Sequence, residues 1–244
     1  MKNNPSLDEI ISLIEDFFMY QKELGVPILT EDVITKQVQK LNTEPIEKFL
    51  QSITEDFIKA KSLAELDAQI NTCKKCPLGE TRKKFVFGVG NPSADIVFVG
   101  EAPGADEDAQ GEPFVGRAGK LLTETLLQIG LTREEVYICN ILKCRPPNNR
   151  DPLPEEVDKC EPYLLKQLSL IKPKIIVALG RIAGNTLLRS NLTLSKLREN
   201  VYNYYGIPLF ITFHPAAILR NINWKPVFIE DLKNVKNYYD KLRG

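Results

Sequence analysis

Five cysteines, one histidine and a few polar residues at the ends of apolar runs hold most of the chemistry this chain can offer. Cys73 and Cys76 form a CKKC pair, Cys144 follows after 67 residues and Cys160 after a further 15. Two thiols in a CxxC pair joined by two more give the ligand count of a four-thiolate centre, which suits zinc as well as iron–sulfur. The plain alternative is a set of ordinary buried thiols. The fifth, Cys139, sits inside an apolar run and reads as core. Asn140 follows it directly, so strand alternation points its amide to the opposite face, where an unpartnered amide would be a costly buried polar group. His214 is the single histidine, at the end of another apolar run, with Pro215 restricting its backbone. A lone histidine is more often structural, so its context must decide.

Those positions need elements to bring them together. Apolar, β-rich runs occur at residues 95–100 (DIVFVG), 136–142 (VYICNIL), 174–179 (KIIVAL) and 208–213 (PLFITF). Amphipathic helical stretches lie at residues 119–129, 154–171, 181–189 and 227–242. Continuous apolar strands separated by helices predict a three-layer α/β/α fold around a mostly parallel four-stranded sheet. In such sheets ligands collect at the carboxyl ends of the strands. The strand exits read GEAPGADED, NILKCRPPNNR, GR and HPAAILR, so each unusual polar cluster falls at that one end. Ahead of them, residues 7–19 show helical periodicity behind Ser6, and residues 34–61 continue helix-like around Pro45. The predicted organisation is an acidic helical N-terminal extension over residues 1–62 and a catalytic-sized domain over residues 63–244.

Of the 244 residues, 43% are hydrophobic and 26% charged. No apolar run approaches the roughly 20 residues of a membrane span. The N-terminal MKNNPSLDEI lacks the apolar centre of a secretory signal, which predicts a reducing, cytoplasmic setting in which cysteines serve as thiols or ligands. A net charge of zero argues against coating nucleic acid by bulk electrostatics. The charge is uneven, however. Residues 1–60 carry 11 Asp and Glu against 6 Lys, leaving a matching positive excess on the remainder.

Taken in order, CKKCPL, GEAPGADED, GEPFVGRAGKLL, NILKCRPPNNRDP and HPAAILR resemble the family 4 uracil-DNA glycosylases, the iron–sulfur branch of their superfamily. The resemblance runs from about residue 63 to about residue 241 and says nothing of the acidic extension, which could meet a protein partner. It implies a DNA-repair hydrolase acting on uracil in single- or double-stranded DNA, and the chain is expected to act as a monomer. It also implies a [4Fe–4S] cluster on Cys73, Cys76, Cys144 and Cys160, structural rather than redox-active, tethering loops near the DNA.

The resemblance further implies a pocket for a base extruded from the stack. Phe114, in a loop bracketed by Gly111 and Gly116, would lie flat on the pyrimidine. The Asn140 amide matches the N3–H and O4 of uracil. His214 would donate to O2 as negative charge gathers there, a service worth about 3 kcal/mol in comparable sites. The turn containing Gly100, Glu101 and Ala102 would approach the scissile bond, with Pro103 stiffening it. Other branches place a water-positioning aspartate where Ala102 stands, which leaves Glu101 as the nearest carboxylate. Glu107 would occupy the space beside C5, Gly104 standing where other branches use a tyrosine. Asp106 and Asp108 read as solvated or capping acids. For the duplex, Arg117, Gly119 and Lys120 at a helix start, with Arg145, Asn149, Arg150, Arg181 and Arg220, would form a phosphate-binding rim. Ile218 or Leu219 would fill the gap left by the flipped base. The rival readings are a non-catalytic iron–sulfur DNA-binding module on the same scaffold and a zinc-stabilised structural domain.

Overall fold

A computed structural model describes residues 45–243. The helix expected over residues 7–19, and the part of the 34–61 stretch before residue 45, lie outside the described residues.

The strands are β1 (Val89–Gly90), β2 (Ile96–Gly100), β3 (Tyr137–Asn140), β4 (Ile175–Leu179), β5 (Tyr202–Tyr204) and β6 (Ile207–Thr212). They form one sheet in the order β1-β3-β2-β4-β6-β5. The four apolar runs are its parallel centre, β3-β2-β4-β6. Among the described residues the sheet has six strands rather than four, because a short antiparallel strand borders each side. β1 pairs over only two residues, and β5 is a three-residue hairpin partner of β6. Tyr205 and Gly206 turn that hairpin, both with positive φ (52° and 87°). β2 and β4 are buried along their whole lengths, as strands covered on both faces must be.

Ten helices accompany the sheet among the described residues: α1 (Ile46–Gln51), α2 (Leu63–Ile70), α3 (Leu78–Thr81), α4 (Ala105–Gln110), α5 (Arg117–Gln128), α6 (Pro154–Ile171), α7 (Arg181–Leu188), α8 (Leu194–Arg198), α9 (Pro215–Arg220) and α10 (Lys225–Arg243). Local chemistry explains several of their ends. α2 opens on Ser62, whose hydroxyl accepts from the Glu65 N–H at 3.2 Å while the Glu65 carboxylate reaches back to the Lys61 N–H. α6 opens on Pro154, a residue suited to the first helical position, and Glu156 accepts from the Leu153 N–H at 2.9 Å. One continuous core joins Phe98, Ile138 and Val177 of the sheet to Leu122 and Leu126 of α5 and to Phe228 and Leu232 of α10. Within the expected extension, α1 packs on α6. Phe57, in a short 3-10 turn (Asp56–Lys59), meets Tyr163 of α6 edge-on, with ring centroids 4.8 Å apart.

Register aligns the functional end. Gly100 lies opposite Asn140, and Leu179 opposite Thr212, so the four parallel strands stop level with one another. The chain leaves β2 for β3 on one side and reaches β4 on the other. Strand order therefore reverses beside β2, where open α/β sheets form their crevice.

Candidate active site

A cleft of about 560 Å³ opens at that point, lined by residues that follow β2, β3, β4 and β6. Phe114, Asn140 and His214, drawn from distant parts of the chain, all line it. The Phe114 and His214 rings are 5.5 Å apart between centroids and inclined at 32°. Gly100 sits where the other two meet: a Cβ there would lie 2.3 Å from Oδ1 of Asn140 and 2.8 Å from the Phe114 ring. No side chain fits, so glycine is the condition for plate and amide to share one wall. Asn140 is 2% exposed, and its amide has no hydrogen-bond partner among the described residues.

Phe114 adopts a left-handed backbone (φ 55°), an unfavourable conformation for a bulky residue that its surroundings must impose. Two clamps do so. One oxygen of Glu107 accepts from the N–H groups of Val115 and Gly116 at 3.1 and 3.2 Å, and the other accepts from Gly104 at 3.1 Å. The Arg133 guanidinium donates to the Pro113 carbonyl at 2.5 Å. Beneath them α5 comes so close that a Cβ on Gly119 would meet the Phe114 carbonyl at 1.7 Å. Gly119 is therefore a packing residue buried under the loop, within the first turn of α5.

His214 Nδ1 accepts from the Ala216 N–H at 3.1 Å, which assigns the proton of the neutral ring to Nε2. Burial first, and then the charge of Arg220, push its pKa down to about 4, so it is neutral at physiological pH. Gly180 (φ 101°) admits the ring, since a Cβ there would come within 2.9 Å of the His214 Cβ. The strand end before it is tied down. Thr212 Oγ1 donates to Asp231 at 2.6 Å, and Arg198 grips the same carboxylate with two bonds of 2.7 Å.

Glu101 is the carboxylate of the cleft with a strongly altered acidity. Burial and the neighbouring Asp151 raise its pKa to about 7, against a smaller opposing pull from Arg181. Ala102 and Gly104 leave room beside it, both lining the cleft.

The rim divides less simply than the sequence suggests. Arg117 and Lys120 are exposed on the first turn of α5, and Arg181 and Arg220 are exposed at the cleft. Arg150 lines the cleft, but Glu156 holds its guanidinium with two hydrogen bonds, so it enters the rim as half of an ion pair. Ile218 is wholly buried in the core, which corrects its place among the DNA contacts, whereas Leu219 is 39% exposed. Asp108 is not solvated either: it is 3% exposed and accepts from the Lys83 N–H at 2.8 Å. Sequence reasoning passed over Arg133 and Asp151, whose effects depend on neighbours 20 and 50 residues away.

The four cysteines meet where the segment before α3, the exit of β3 and α6 come together. Cys160 lies within electrostatic reach of Cys144 and Cys73, and Cys144 within reach of Cys73 and Cys76. Burial pushes Cys144 up to about 11 and Cys160 up to about 12. Three sulfurs receive hydrogen bonds: Cys73 from the Tyr163 hydroxyl at 3.2 Å, Cys144 from Arg82 at 3.3 Å, and Cys160 from the Lys143 N–H at 3.3 Å. The Lys143 side chain is fully buried, which pushes its pKa down, and its Nζ donates only to neutral oxygens, of Asn140 and Gln167. Among the described residues no three His, Cys, Asp or Glu side chains stand at the spacing of a single metal ion. Cys139 is core, 1% exposed in β3.

Residues 87–243 match the model of the Uracil DNA glycosylase superfamily. The chain is 49% identical to the Type-4 uracil-DNA glycosylase of Archaeoglobus fulgidus over 183 residues, covering 72% of this chain and 92% of that protein. It is 45% identical to the Type-4 enzyme of Thermotoga maritima, over 76% of this chain and 98% of the relative. A Type-5 uracil-DNA glycosylase of Pyrobaculum aerophilum is 30% identical over 60% of the chain. The chain belongs to the uracil-DNA glycosylase superfamily, in its type-4 family.

Proposed function

We propose that the chain excises uracil from DNA by hydrolysing the N-glycosidic bond of an extruded nucleotide, leaving an abasic site. The observation that carries this reading is the convergence of Phe114, Asn140 and His214 on one cleft around a glycine that cannot be replaced without displacing two of them. Phe114, held by its clamps, offers a flat face to the pyrimidine. The unpartnered Asn140 amide pairs with N3–H and O4 of uracil, whereas cytosine presents the reverse pattern. Neutral His214 aims its Nε2–H at O2. As the bond from N1 to the sugar breaks, the electron pair passes into the base and collects on O2, where a donor already in place stabilises it. A water oxygen bonds to the sugar carbon, Glu101 in its ionised form takes the proton that water sheds, and that proton is returned through solvent to the departing uracil anion. The oxocarbenium-like sugar needs only a weak nucleophile. Glu107, fixed by three backbone donors, forms the rigid wall beside C5 that excludes thymine's methyl. Arg117, Lys120, Arg181 and Arg220 contact phosphates, and Leu219 fills the vacated stack.

We further propose that Cys73, Cys76, Cys144 and Cys160 hold a [4Fe–4S] cluster. Donors directed at three sulfurs are the surroundings such clusters take. When bound it supplies a covalent cross-link and no electron to the reaction. The residues around it hold the exit of β3, and hence Asn140, in place.

The test is incubation of the protein with a uracil-containing oligonucleotide followed by alkaline cleavage at abasic sites. Cleavage is expected for the parent and not for His214→Ala, which should still bind the oligonucleotide. Equal cleavage by both proteins overturns the pocket assignment. A colourless protein containing zinc, in place of a brown one absorbing near 400 nm, overturns the cluster.

A further inference from the structure

Beyond the cleft, α9 runs into an apolar ridge. Leu219 is 39% exposed, Ile222 62% and Trp224 41%, all within six residues of chain. The last two lie in a 3-10 turn (Ile222–Trp224) that packs directly against α9, whose other residues Ala216, Ala217 and Arg220 line the cleft. Three large apolar side chains exposed together at the rim of a polar cleft mark a contact surface, not a cost of folding.

The turn is built to hold its shape. Asn221 caps it, its side chain accepting from the Asn223 N–H at 3.2 Å. Trp224 stacks on Phe213, the residue before His214, with centroids 5.4 Å apart and planes at 28°. The other neighbour of Phe213 is the Arg198 guanidinium, 4.7 Å from its ring centre and anchored on Asp231. One face of the indole is thus backed by a rigid column that continues into the strand end carrying the histidine. Along the chain no Asp or Glu occurs between Glu199 and Glu230, while Arg220 lies within the ridge and Lys225 directly follows it.

A braced indole, two aliphatic neighbours and flanking cations form the combination that takes unstacked bases of a nucleic acid, aromatic faces stacking on bases and cations meeting the backbone. We propose that Leu219, Ile222 and Trp224 form a second base-binding surface, continuous with the cleft, on which an unpaired base neighbouring the extruded nucleotide stacks against Trp224. This rests on the uracil-excising reading and extends it: the site grips not one displaced base but a short unstacked stretch, which favours single-stranded or locally melted DNA.

Trp224 is the only tryptophan in the chain, so its emission reports on this surface alone. Titration of the full-length protein with a single-stranded oligonucleotide lacking uracil should quench that emission to saturation, and a fully paired duplex should quench it less. Trp224→Ala should weaken single-strand binding by roughly five- to a hundredfold, while Trp224→Phe, which keeps the stack on Phe213, should restore most of it. Unchanged emission at saturating DNA overturns the proposal, as does emission that follows protein concentration without DNA, which would make the ridge a self-association face. Uracil release is scored separately. Release without quenching defeats the ridge alone, and quenching without release defeats the excision reading while leaving a nucleic-acid surface.

Discussion

The cleft and the cysteine site lie at opposite ends of the same residues, for Asn140 begins the loop that reaches Cys144, yet they are organised on opposite principles. In the cleft, groups are left wanting: an amide without a partner, a carboxyl driven up to about 7, an imidazole driven down to about 4, and an aromatic residue in a left-handed backbone. Around the cysteines, sulfurs are supplied with donors and enclosed. Tyr163 bonds one of them, Phe57 packs against Tyr163, and Lys75 lies over both rings. Unsatisfied polarity and strain cost stability and are kept where a ligand will satisfy them. Saturation belongs where a group stays for the life of the protein.

The largest expected effect tests the permanent side. Cys144→Ser and Cys160→Ser should each abolish iron incorporation and lower unfolding stability by several kcal/mol, because binding energy at such centres is folding energy. Thermal melting and iron analysis measure this directly. His214→Ala should do the reverse. Uracil release should fall by on the order of 10²- to 10³-fold, as loss of one oxyanion donor does elsewhere, with iron content and melting temperature unchanged. If the histidine variant loses iron, or a cysteine variant keeps it, the two regions are not separate in the way described.

Gly100→Ala sharpens the contrast, since it adds one methyl group to the wall shared by plate and amide. Displacing Phe114 or Asn140 by the ångström that the contact requires should cost turnover about a hundredfold. The 400 nm absorbance should not change. Single-turnover kinetics beside the spectrum would check both.

Much of this was legible in the sequence because strongly apolar runs need little context. The four parallel strands follow from their continuous apolar runs, and the 18-residue helix over residues 154–171 from its periodicity. The edge strands did not show because Val89–Gly90 and Tyr202–Tyr204 are too short to display a period, and the hairpin turn Tyr205-Gly206 lacks the usual asparagine. Ile218 and Leu219 are indistinguishable as a pair of apolar neighbours, and only the docking of α9 on α5 decides which is buried. Asp108 belongs to the same class, an acid whose partner is a backbone N–H 25 residues earlier. Likewise the clamp of Arg133 on Pro113 is a tertiary contact with no local signature.

The smallest effects concern Glu101. Its folded pKa of about 7 lies above its ordinary value of 4.5. Its protonated form therefore favours the folded state below pH 4.5, and that contribution is lost as pH rises through 7. Glu101→Gln should remove this loss, stabilising the protein at pH 8 by on the order of 2 kcal/mol once partial exposure is allowed for, with little change at pH 5. Catalysis needs the opposite form, the ionised carboxylate facing water, so turnover should climb toward a limb near pH 7 that the glutamine variant lacks. Two causes hold that limb up, and they can be separated. Burial is indifferent to salt. Asp151 is exposed and acts across solvent, so Asp151→Asn should move the limb down by about half a pH unit in low salt, and that difference should nearly vanish at 1 M salt, where screening acts within a few ångströms. A limb that does not move in the asparagine variant would leave burial as the sole cause of the raised pKa. A limb that persists in Glu101→Gln would take the carboxylate out of the reaction and leave the cleft with its imidazole alone.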